Sequence, residues 1–389
     1  MKQKILVTGG AGYIGSITVK ELLDNGFDVV VLDSLENGHR EAVDRRARLE
    51  VVNLSDKKGV NEVFRKHKFD AVIDFAAYLS VGESMENPKK YLDNNVGNFI
   101  KLLDVMVEND CRYIIKSSTA ATYGNPPSDD YFPLKEESQK EYRLEKSALL
   151  SGKWDGADLN GEEFFKKALD YYGNIANGRT ELILSDEDIK VLRTPTSIYG
   201  LSKLIDEILL SKYNQKSDLK YVALRYFNVS GATLDGLMGE DKPNPITLMT
   251  VCYWSLLGKY PPVPIFGTDY PTPDGTGIRD YIHPVDIATG HLKALQYLQK
   301  TNQSEVINLG TGKGNTVFEV IKTVEKASGK KVNYKIVPRR RGDPVKSWAD
   351  PAKAKELLGW EAKYSLDEMA ESAWKWHSTH PDGYQIKNG

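Results

Sequence analysis

Cysteine is nearly absent from this sequence. Among 389 residues it occurs only at Cys111 and Cys252, which lie far apart along the chain. A secreted fold held together by disulfide bonds would use more cysteines. The scarcity therefore predicts a protein of a reducing compartment, the cytoplasm.

Long hydrophobic runs are also missing, and so is an excess of either charge. No stretch approaches the ~18 apolar residues of a membrane span. The apolar run near the start, ILVTG, is too short for the core of a signal peptide. The net charge of −2 argues against a nucleic-acid-binding surface. We therefore expect neither a membrane nor a nucleic acid as partner.

A metal centre is not indicated either. His377 and His380 form the motif HSTH, but no third ligand at a sensible spacing accompanies them in the sequence. We expect no metal ion to be bound.

The first third of the chain alternates short β-rich runs with longer helical patterns. The runs KILVTG, FDVVVLD, LEVVNL, KFDAVIDFA and CRYIIKSST are typical of strands, and a helix is expected over about 13–24. This alternation predicts an α/β fold with a doubly wound parallel sheet.

A glycine-rich turn follows the first strand. Gly9, Gly12 and Gly15 lead into a helix, and glycine lets the backbone approach a pyrophosphate at the helix N-terminus. The second strand ends in Asp33, 18 residues beyond Gly15 and near the ~20 expected. Its carboxylate can accept the adenosine-ribose hydroxyls and would repel a 2′-phosphate. The unit predicts a Rossmann fold that binds NAD rather than NADP.

The domain organisation follows from where the alternation stops. Residues of about 136–190 are charged and have no clear place in the sheet, and the strand LKYVALRYF resumes the pattern. After Asn228 the sequence is richer in proline and glycine. We expect a Rossmann domain at 1–228 that carries this insertion, and a smaller α/β domain at 229–389. Segments near 283–310 are expected to pack back on the first domain.

Tyr199 and Lys203 lie four residues apart in RTPTSIYGLSKL, one turn apart on a helix. An apolar stripe runs roughly opposite them, which would offer both side chains to solvent or to a cleft. The stripe consists of Leu201, Leu204, Ile205, Ile208 and Leu209. The spacing alone leaves two interpretations open, a catalytic pair or two polar residues on a solvated face.

Longer motifs carry a family resemblance over nearly the whole chain. They include VTGGAGYIGS, SSTAATYG, VGES, DNNV, LRYFNVSGA, MGED, IFGTDYPTPDGTGIRDYIH, NLGTG, RRRGD and WAD. Together with Tyr-x-x-x-Lys, they resemble the extended short-chain dehydrogenase/reductase family, and within it the NAD-dependent nucleotide-sugar epimerases. The stretch 265–283 is the most specific of these motifs.

The resemblance implies an isomerase of galactose metabolism that interconverts UDP-galactose and UDP-glucose through a 4-keto sugar, with tightly bound NAD. Tyr199 would take the proton from the sugar 4-hydroxyl. Lys203 would lower the pKa of Tyr199 and bond the nicotinamide ribose. Thr119 would bridge the 4-oxygen and the phenol.

The resemblance also implies a set of ligand contacts. Tyr13 and Ile14 would donate backbone N–H groups to the pyrophosphate. Asn53 and Leu54 would flank the adenine. The implied cofactor residues are Gly9, Gly12, Tyr13, Ile14, Gly15, Asp33, Ser34, Asn37, Gly38, Asn53, Leu54, Phe75, Ala76, Ala77, Leu79, Asn95, Thr119, Tyr199, Lys203 and Phe227. The implied substrate residues are Asn228, Thr247, Leu248, Phe266, Arg279, Arg340, Asp343 and Ser347, with the two arginines on the UDP phosphates.

Four positions or segments depart from the family pattern. Asn53 replaces the usual aspartate, and its amide oxygen can still accept a hydrogen bond. Leu79 stands where many relatives carry a lysine near the cofactor phosphates, and Thr247 replaces an asparagine. The fourth departure is the insertion at about 136–190, which is a lid, a contact surface or a peripheral addition.

The residue before Trp-Ala-Asp bears on substrate range. In the resembling family a tyrosine there accompanies restriction to UDP-glucose and UDP-galactose, whereas a small residue leaves room for an N-acetyl group. Ser347 therefore predicts activity on UDP-N-acetylglucosamine and UDP-N-acetylgalactosamine as well.

Two other functions compete with epimerisation. A nucleotide-sugar 4,6-dehydratase needs an Asp-Glu pair after the serine or threonine, where this chain has Ala120 and Ala121. A non-catalytic NAD or UDP-sugar sensor would usually lack the tyrosine or the lysine. Relatives commonly form homodimers through two helices, here near 95–107 and 199–213, so we expect a homodimer.

Overall fold

The computed structural model describes residues 2–141, 170, 173, 184–245, 247–340 and 343–384. Its strands, in chain order, are β1 Lys4–Thr8, β2 Asp28–Asp33, β3 Arg48–Val51, β4 Ala71–Asp74, β5 Tyr113–Thr119, β6 Lys220–Tyr226, β7 Asn228–Val229, β8 Val263–Phe266, β9 Ile278–Ile282, β10 Glu305–Leu309, β11 Gly314–Thr316, β12 Tyr334–Val337 and β13 Lys346–Ser347.

The helices are α1 Tyr13–Asp24, α2 Lys57–His67, α3 Val81–Glu86, α4 Pro88–Tyr91, α5 Asn98–Glu108, α6 Ser138–Glu141, α7 Asp186–Val191, α8 Ile198–Lys216, α9 Leu248–Leu256, α10 Pro284–Thr301, α11 Val317–Ser328 and α12 Leu366–Thr379. A π-helical segment, Leu92–Gly97, leads directly into α5. None of the described helices is both long and apolar enough to cross a bilayer.

The central sheet has seven parallel strands in the order β10-β6-β5-β4-β1-β2-β3. Side chains of β1 alternate between two buried layers, since Leu6 belongs to one core while Ile5 and Val7 belong to the other. Helices α2, α5 and α8 cover the first face, and α1 and α10 cover the second. A sheet buried on both faces requires near-continuous apolar strands, which explains runs such as DVVVLD. The predicted α/β, doubly wound class is confirmed.

A second lobe holds the remaining strands. β7, β9, β11 and β13 form a four-stranded sheet, and β8 pairs with β12. Helices α9, α11 and α12 enclose a separate apolar core there, which includes Met249, Val263 and Val320. After β9 the chain returns to the first lobe, where α10 packs on the central sheet and β10 extends its edge beside β6.

The domain bounds 1–228 and 229–389 stay a prediction. Of the insertion expected at about 136–190, the structure describes residues 136–141, 170, 173 and 184–190, which include α6 and most of α7. Cys111 and Cys252 are both buried and free.

Candidate functional site

An open cleft with an empty volume of about 1030 Å³ runs along the carboxyl ends of β1, β2 and β4. At this point the helices after β1 and after β4 lie on opposite faces of the sheet, which is where doubly wound folds bind their ligands. The predicted cofactor residues that line the cleft are Gly9, Gly12, Tyr13, Ile14, Gly15, Asp33, Ser34, Asn37, Gly38, Asn53, Leu54, Phe75, Ala76, Ala77 and Leu79.

The glycine turn explains why the cleft lies so close to the backbone. Gly9 has φ +67°, which favours glycine, and Gly12 caps α1 with its own N–H bonded to the Gly9 carbonyl at 3.1 Å. A Cβ on Gly15 would lie 2.2 Å from that same carbonyl oxygen. The turn therefore cannot accommodate a side chain at Gly15. Helix α1 directs its free N–H groups into the cleft, as a dinucleotide pyrophosphate requires.

Asp33 occupies the end of β2 with its carboxylate held by the backbone. Its Oδ2 accepts from the Ala11 N–H at 3.0 Å, and its Oδ1 accepts from the Leu35 N–H at 2.8 Å. Each oxygen keeps a lone pair for a ligand hydroxyl. The arrangement fits an adenosine ribose and disfavours an added phosphate.

At the adenine end of the cleft, a side chain is likewise held in place by a backbone N–H group. Asn53 Oδ1 accepts from the Ser55 N–H at 2.8 Å, so the side-chain amide is fixed with its NH₂ group available. Leu54 is buried beside it. Asn53 therefore offers donors to the cleft, whereas sequence reasoning stressed its acceptor.

Other lining residues were missed by the sequence reasoning. They are Leu32, Glu36, Val52, Tyr78, Asn94, Ser117, Tyr226 and Lys242. Leu32, Glu36, Val52 and Tyr78 directly neighbour predicted positions, so the ends of the strands could have indicated them. Lys242 comes from the second lobe, and no local pattern indicates it.

Five predicted cofactor residues are absent from the lining of this cleft, namely Asn95, Thr119, Tyr199, Lys203 and Phe227. Asn95 is buried, bonds both backbone groups of Tyr78 at 2.9 and 3.1 Å, and donates to Ser202 Oγ at 3.1 Å. Asn95 therefore supports the wall formed by Tyr78. Phe227 packs into a small apolar cluster with Tyr123 and Leu134.

The Tyr199–Lys203 pair lies at the start of α8, against β5. Ser197 caps this helix by accepting from the Gly200 N–H, and the Tyr199 N–H donates to Ser84 Oγ at 3.1 Å. Lys203 donates to the Ser117 carbonyl at 2.9 Å, and Ser117 lines the cleft. Lys203 is buried, so the interpretation as a polar residue on a solvated face does not hold for it.

Burial is the largest influence on the ionisation of the pair. Burial raises the pKa of Tyr199 to about 12, and a hydrogen bond with Thr119 and the charge of Lys116 oppose that rise. Burial also lowers the pKa of Lys203, and the like charge of Lys116 lowers it further. Desolvation of the phenol outweighs the charge of Lys116, and the role of Lys203 in lowering the pKa of Tyr199 stays a prediction.

A buried charge cluster lies behind this pair, and sequence reasoning missed it. Lys116 on β5 places its ammonium 2.5 Å from Asp74 and 3.0 Å from Asp206, and all three side chains are at most 1% exposed. Asp206 lies one turn beyond Lys203 on α8. Asp74 also accepts from the Ala76 N–H in the cofactor cleft at 3.2 Å. The cluster thus connects the pair to the cleft wall.

Most predicted substrate residues gather in the second lobe. Ser347 on β13 lies opposite Arg279 on β9, and Arg279 donates to the Ile278 carbonyl at 2.9 Å. Arg340 lies 5.2 Å from the centre of the exposed Phe266 ring. Arg340 also pairs with Asp343 at 2.8 Å. Two guanidinium groups, an aromatic face and a small hydroxyl residue thus share one region.

The other predicted substrate residues lie on β7 and at the start of α9. Asn228 is exposed at β7, which pairs with β9. Thr247 immediately precedes α9 and its hydroxyl donates to Glu240, and Leu248 begins that helix. Within the described ranges no group of three or more His, Cys, Asp or Glu residues is arranged to hold a metal ion. His380 stacks on Trp376 at 4.2 Å.

Comparison with known proteins supplies the family. The sequence model described as NAD dependent epimerase/dehydratase family matches residues 5–151, and that described as GDP-mannose 4,6 dehydratase matches residues 171–373. The UDP-glucose 4-epimerase of Lacticaseibacillus casei is 38% identical over 385 residues, which cover 99% of each chain.

Solved structures agree with these matches. The UDP-glucose 4-epimerase of Bifidobacterium longum, in complex with NAD⁺ and UDP, is 34% identical and has a TM-score of 0.79, covering 98% of this chain and all of that one. The UDP-Glc/GlcNAc 4-epimerase of Campylobacter jejuni is 35% identical with a TM-score of 0.71, covering 97% and 99%.

The fold and the cleft are those of an enzyme that works with a bound dinucleotide, and the chain belongs to the NAD dependent epimerase/dehydratase family. Its full-length relatives place it among the UDP-glucose 4-epimerases of that family. The resemblance inferred from the motifs is confirmed, and so is NAD as the cofactor.

Proposed function

We propose that this protein interconverts UDP-galactose and UDP-glucose by epimerisation at C4 of the sugar. The observation that carries the proposal is the meeting of Thr119, Tyr199 and Lys203 at the end of β5, beside the dinucleotide cleft. A hydroxyl, a phenol and an amine in that order provide a path for one proton between the sugar oxygen and the protein.

In the proposed mechanism each side chain has a separate task. When bound, NAD would supply reversible hydride transfer at C4 of the sugar, and the residues of the dinucleotide cleft would hold it. Tyr199 would act as a phenolate that takes the proton from the 4-hydroxyl and later gives it back. The positive nicotinamide ring of bound NAD would counter the rise in the pKa of Tyr199 that burial causes, and Thr119 would hold the phenol in position. Lys203 donates to the Ser117 carbonyl at 2.9 Å, and its remaining N–H donors would bond the nicotinamide ribose.

The nucleotide end of the substrate is assigned to the second lobe. Arg279 and Arg340 would neutralise the two UDP phosphates, because a guanidinium binds phosphate oxygens in pairs. Phe266 beside Arg340 and the residues Asn228, Thr247 and Leu248 would contact the rest of the nucleotide sugar. Asp343, paired with Arg340 at 2.8 Å, would orient that guanidinium.

The direct test follows UDP-galactose by proton NMR with the purified protein and NAD. We expect the anomeric signal of UDP-glucose to grow until an equilibrium is reached. Absence of conversion by a sample whose bound NAD has been measured would refute the proposal. It would favour a protein that binds the ligands without catalysis.

A 4,6-dehydratase activity is not supported by the family match. The dehydratase model matches residues 171–373, whereas the acid/base pair of elimination would follow Thr119. Ala120 and Ala121 occupy those positions in a short 3₁₀ turn and carry no ionisable group.

The substrate range is proposed to include the N-acetylated UDP-hexosamines. Ser347 is 8% exposed and lies in register with Arg279, so its small side chain leaves room near the proposed phosphate site. We expect Ser347→Tyr to suppress activity on UDP-N-acetylglucosamine while the UDP-galactose activity remains. Wild-type protein that epimerises UDP-galactose but neither acetylated sugar would contradict this extension.

We further propose that the protein is a cytoplasmic homodimer that pairs through the region of α5 and α8. Two buried, unbridged cysteines are consistent with a reducing compartment. Light scattering after size-exclusion chromatography tests the assembly, and elution of the active enzyme at the mass of one chain would exclude the dimer.

A further inference from the structure

The charges that line the dinucleotide cleft are few. Among the described residues that form its wall, Asp33 and Glu36 are acidic and Lys242 is the single cation. Asp33 is bonded to backbone N–H groups, and Glu36 accepts from the Tyr78 hydroxyl at 2.8 Å. A dinucleotide adds the negative charges of its diphosphate to two carboxylates. The N–H groups of α1 supply only partial positive charge. A single lysine ammonium can therefore contribute strongly to the electrostatic attraction of the diphosphate.

Lys242 is held in place by a buried acid of the second lobe. Its ammonium lies 3.1 Å from Glu240 Oε1, and the Glu240 side chain is 3% exposed. Thr247 and Thr250 both donate to the other oxygen of Glu240, the latter at 2.7 Å. Because an ammonium has three N–H donors, Lys242 keeps donors for a ligand while Glu240 fixes its position.

The segment that carries Lys242 contacts the loop after β2, which forms part of the cleft wall. The Asp241 carbonyl lies 3.2 Å from His39 Nε2, and His39 directly follows Gly38 of the cleft wall. The His39 N–H donates to the Ala11 carbonyl within the glycine turn at 3.0 Å. Contacts from Asp241 through His39 to Ala11 thus link the segment of Lys242 to the glycine turn, where the pyrophosphate is expected to bind.

We propose that Lys242 retains the cofactor by neutralising the diphosphate of bound NAD, with Glu240 as the residue that positions it. Leu79, on the same wall and 36% exposed, is apolar and cannot supply that charge. The inference rests on the NAD cofactor of the proposed function, and it assigns to the second lobe a direct part in holding that cofactor.

The test compares Lys242→Gln and Lys242→Arg with the wild-type protein by titrating NAD against tryptophan fluorescence. We expect Lys242→Gln to raise the Kd for NAD about tenfold at low salt and to weaken its salt dependence. Lys242→Arg should stay near wild type. The affinity for adenosine, which has no phosphate, should not change. Leu79→Lys added to Lys242→Gln should restore part of the NAD affinity.

Lys259→Gln is the matched control, because Lys259 lies in the same lobe, pairs with Asp382 at 2.9 Å and is absent from the cleft wall. It should leave NAD binding unchanged. An unaltered NAD affinity in Lys242→Gln, or an equal loss for NAD and adenosine, would overturn the inference. Failure of the epimerase assay with normal NAD binding would count against the proposed function alone.

Discussion

Removing the buried cation of the Lys116 cluster should destabilise the protein strongly. Lys116→Met preserves most of the side-chain volume but leaves Asp74 and Asp206 without the ammonium that lies 2.5 and 3.0 Å from them. Breaking a buried ion pair by removing one partner costs about 3–5 kcal/mol of unfolding free energy. We expect a loss in this range, measured by urea denaturation at pH 7 with NAD present at a constant concentration.

The charge-balanced variant separates charge from packing. Lys116→Met combined with Asp206→Leu removes one charge of each sign and fills the space with apolar atoms. Asp74 then keeps its hydrogen bonds from the Thr8 hydroxyl and the Ala76 N–H but has no ammonium beside it. The double variant should therefore recover only the part of the loss that the unpaired Asp206 causes. A loss below about 1 kcal/mol in the single variant, or a double variant as unstable as the single one, would refute the electrostatic reasoning.

Three further predictions concern the cofactor, the base and pH. Tyr199→Phe should keep NAD binding and lower kcat by about 10²–10⁴-fold, since it removes the proposed base, and near-wild-type turnover would exclude that role. Asp33→Arg should weaken NAD and favour NADP in binding titrations, and an unchanged affinity ratio would remove Asp33 from the site. Burial lowers the pKa of His291 to about 4. Between pH 6.5 and about 4, His291 is therefore protonated in the unfolded chain but neutral in the folded protein. Wild type should therefore lose about 3 kcal/mol of unfolding free energy relative to His291→Gln between pH 7 and 4, and a constant difference would contradict this.

Local sequence patterns predicted the features that are determined by residues close together in the sequence, such as strands and the glycine turn. The strand before Gly9 and the acid that ends the next strand follow from hydrophobic runs and glycine spacing, and both lie at the cleft. Tyr199 and Lys203 were ambiguous by spacing alone. The family motifs, rather than periodicity, favoured the catalytic interpretation.

Features that depend on distant pairings could not be predicted in this way. Lys116 looked like an ordinary residue of a strand, and its partners Asp74 and Asp206 are 42 and 90 residues away in the chain. The pKa of Tyr199 also depends on how deeply α8 is buried, which a helical stripe does not reveal. Lys242 reaches the cleft only because two lobes meet, so no pattern within its own segment identifies it.

The seventh strand of the central sheet is also the last to be synthesised. β10 pairs with β6 through Glu305 and Val222, so the edge of the sheet stays open while the ribosome makes about 80 further residues. Until α10 has been synthesised and has packed on the sheet, apolar side chains of β6 such as Val222 and Leu224 stay exposed to solvent on one face. A gene truncated after residue 228 should therefore yield an aggregating fragment rather than an isolated NAD-binding module. Truncations intended to isolate that module must retain the chain through β10.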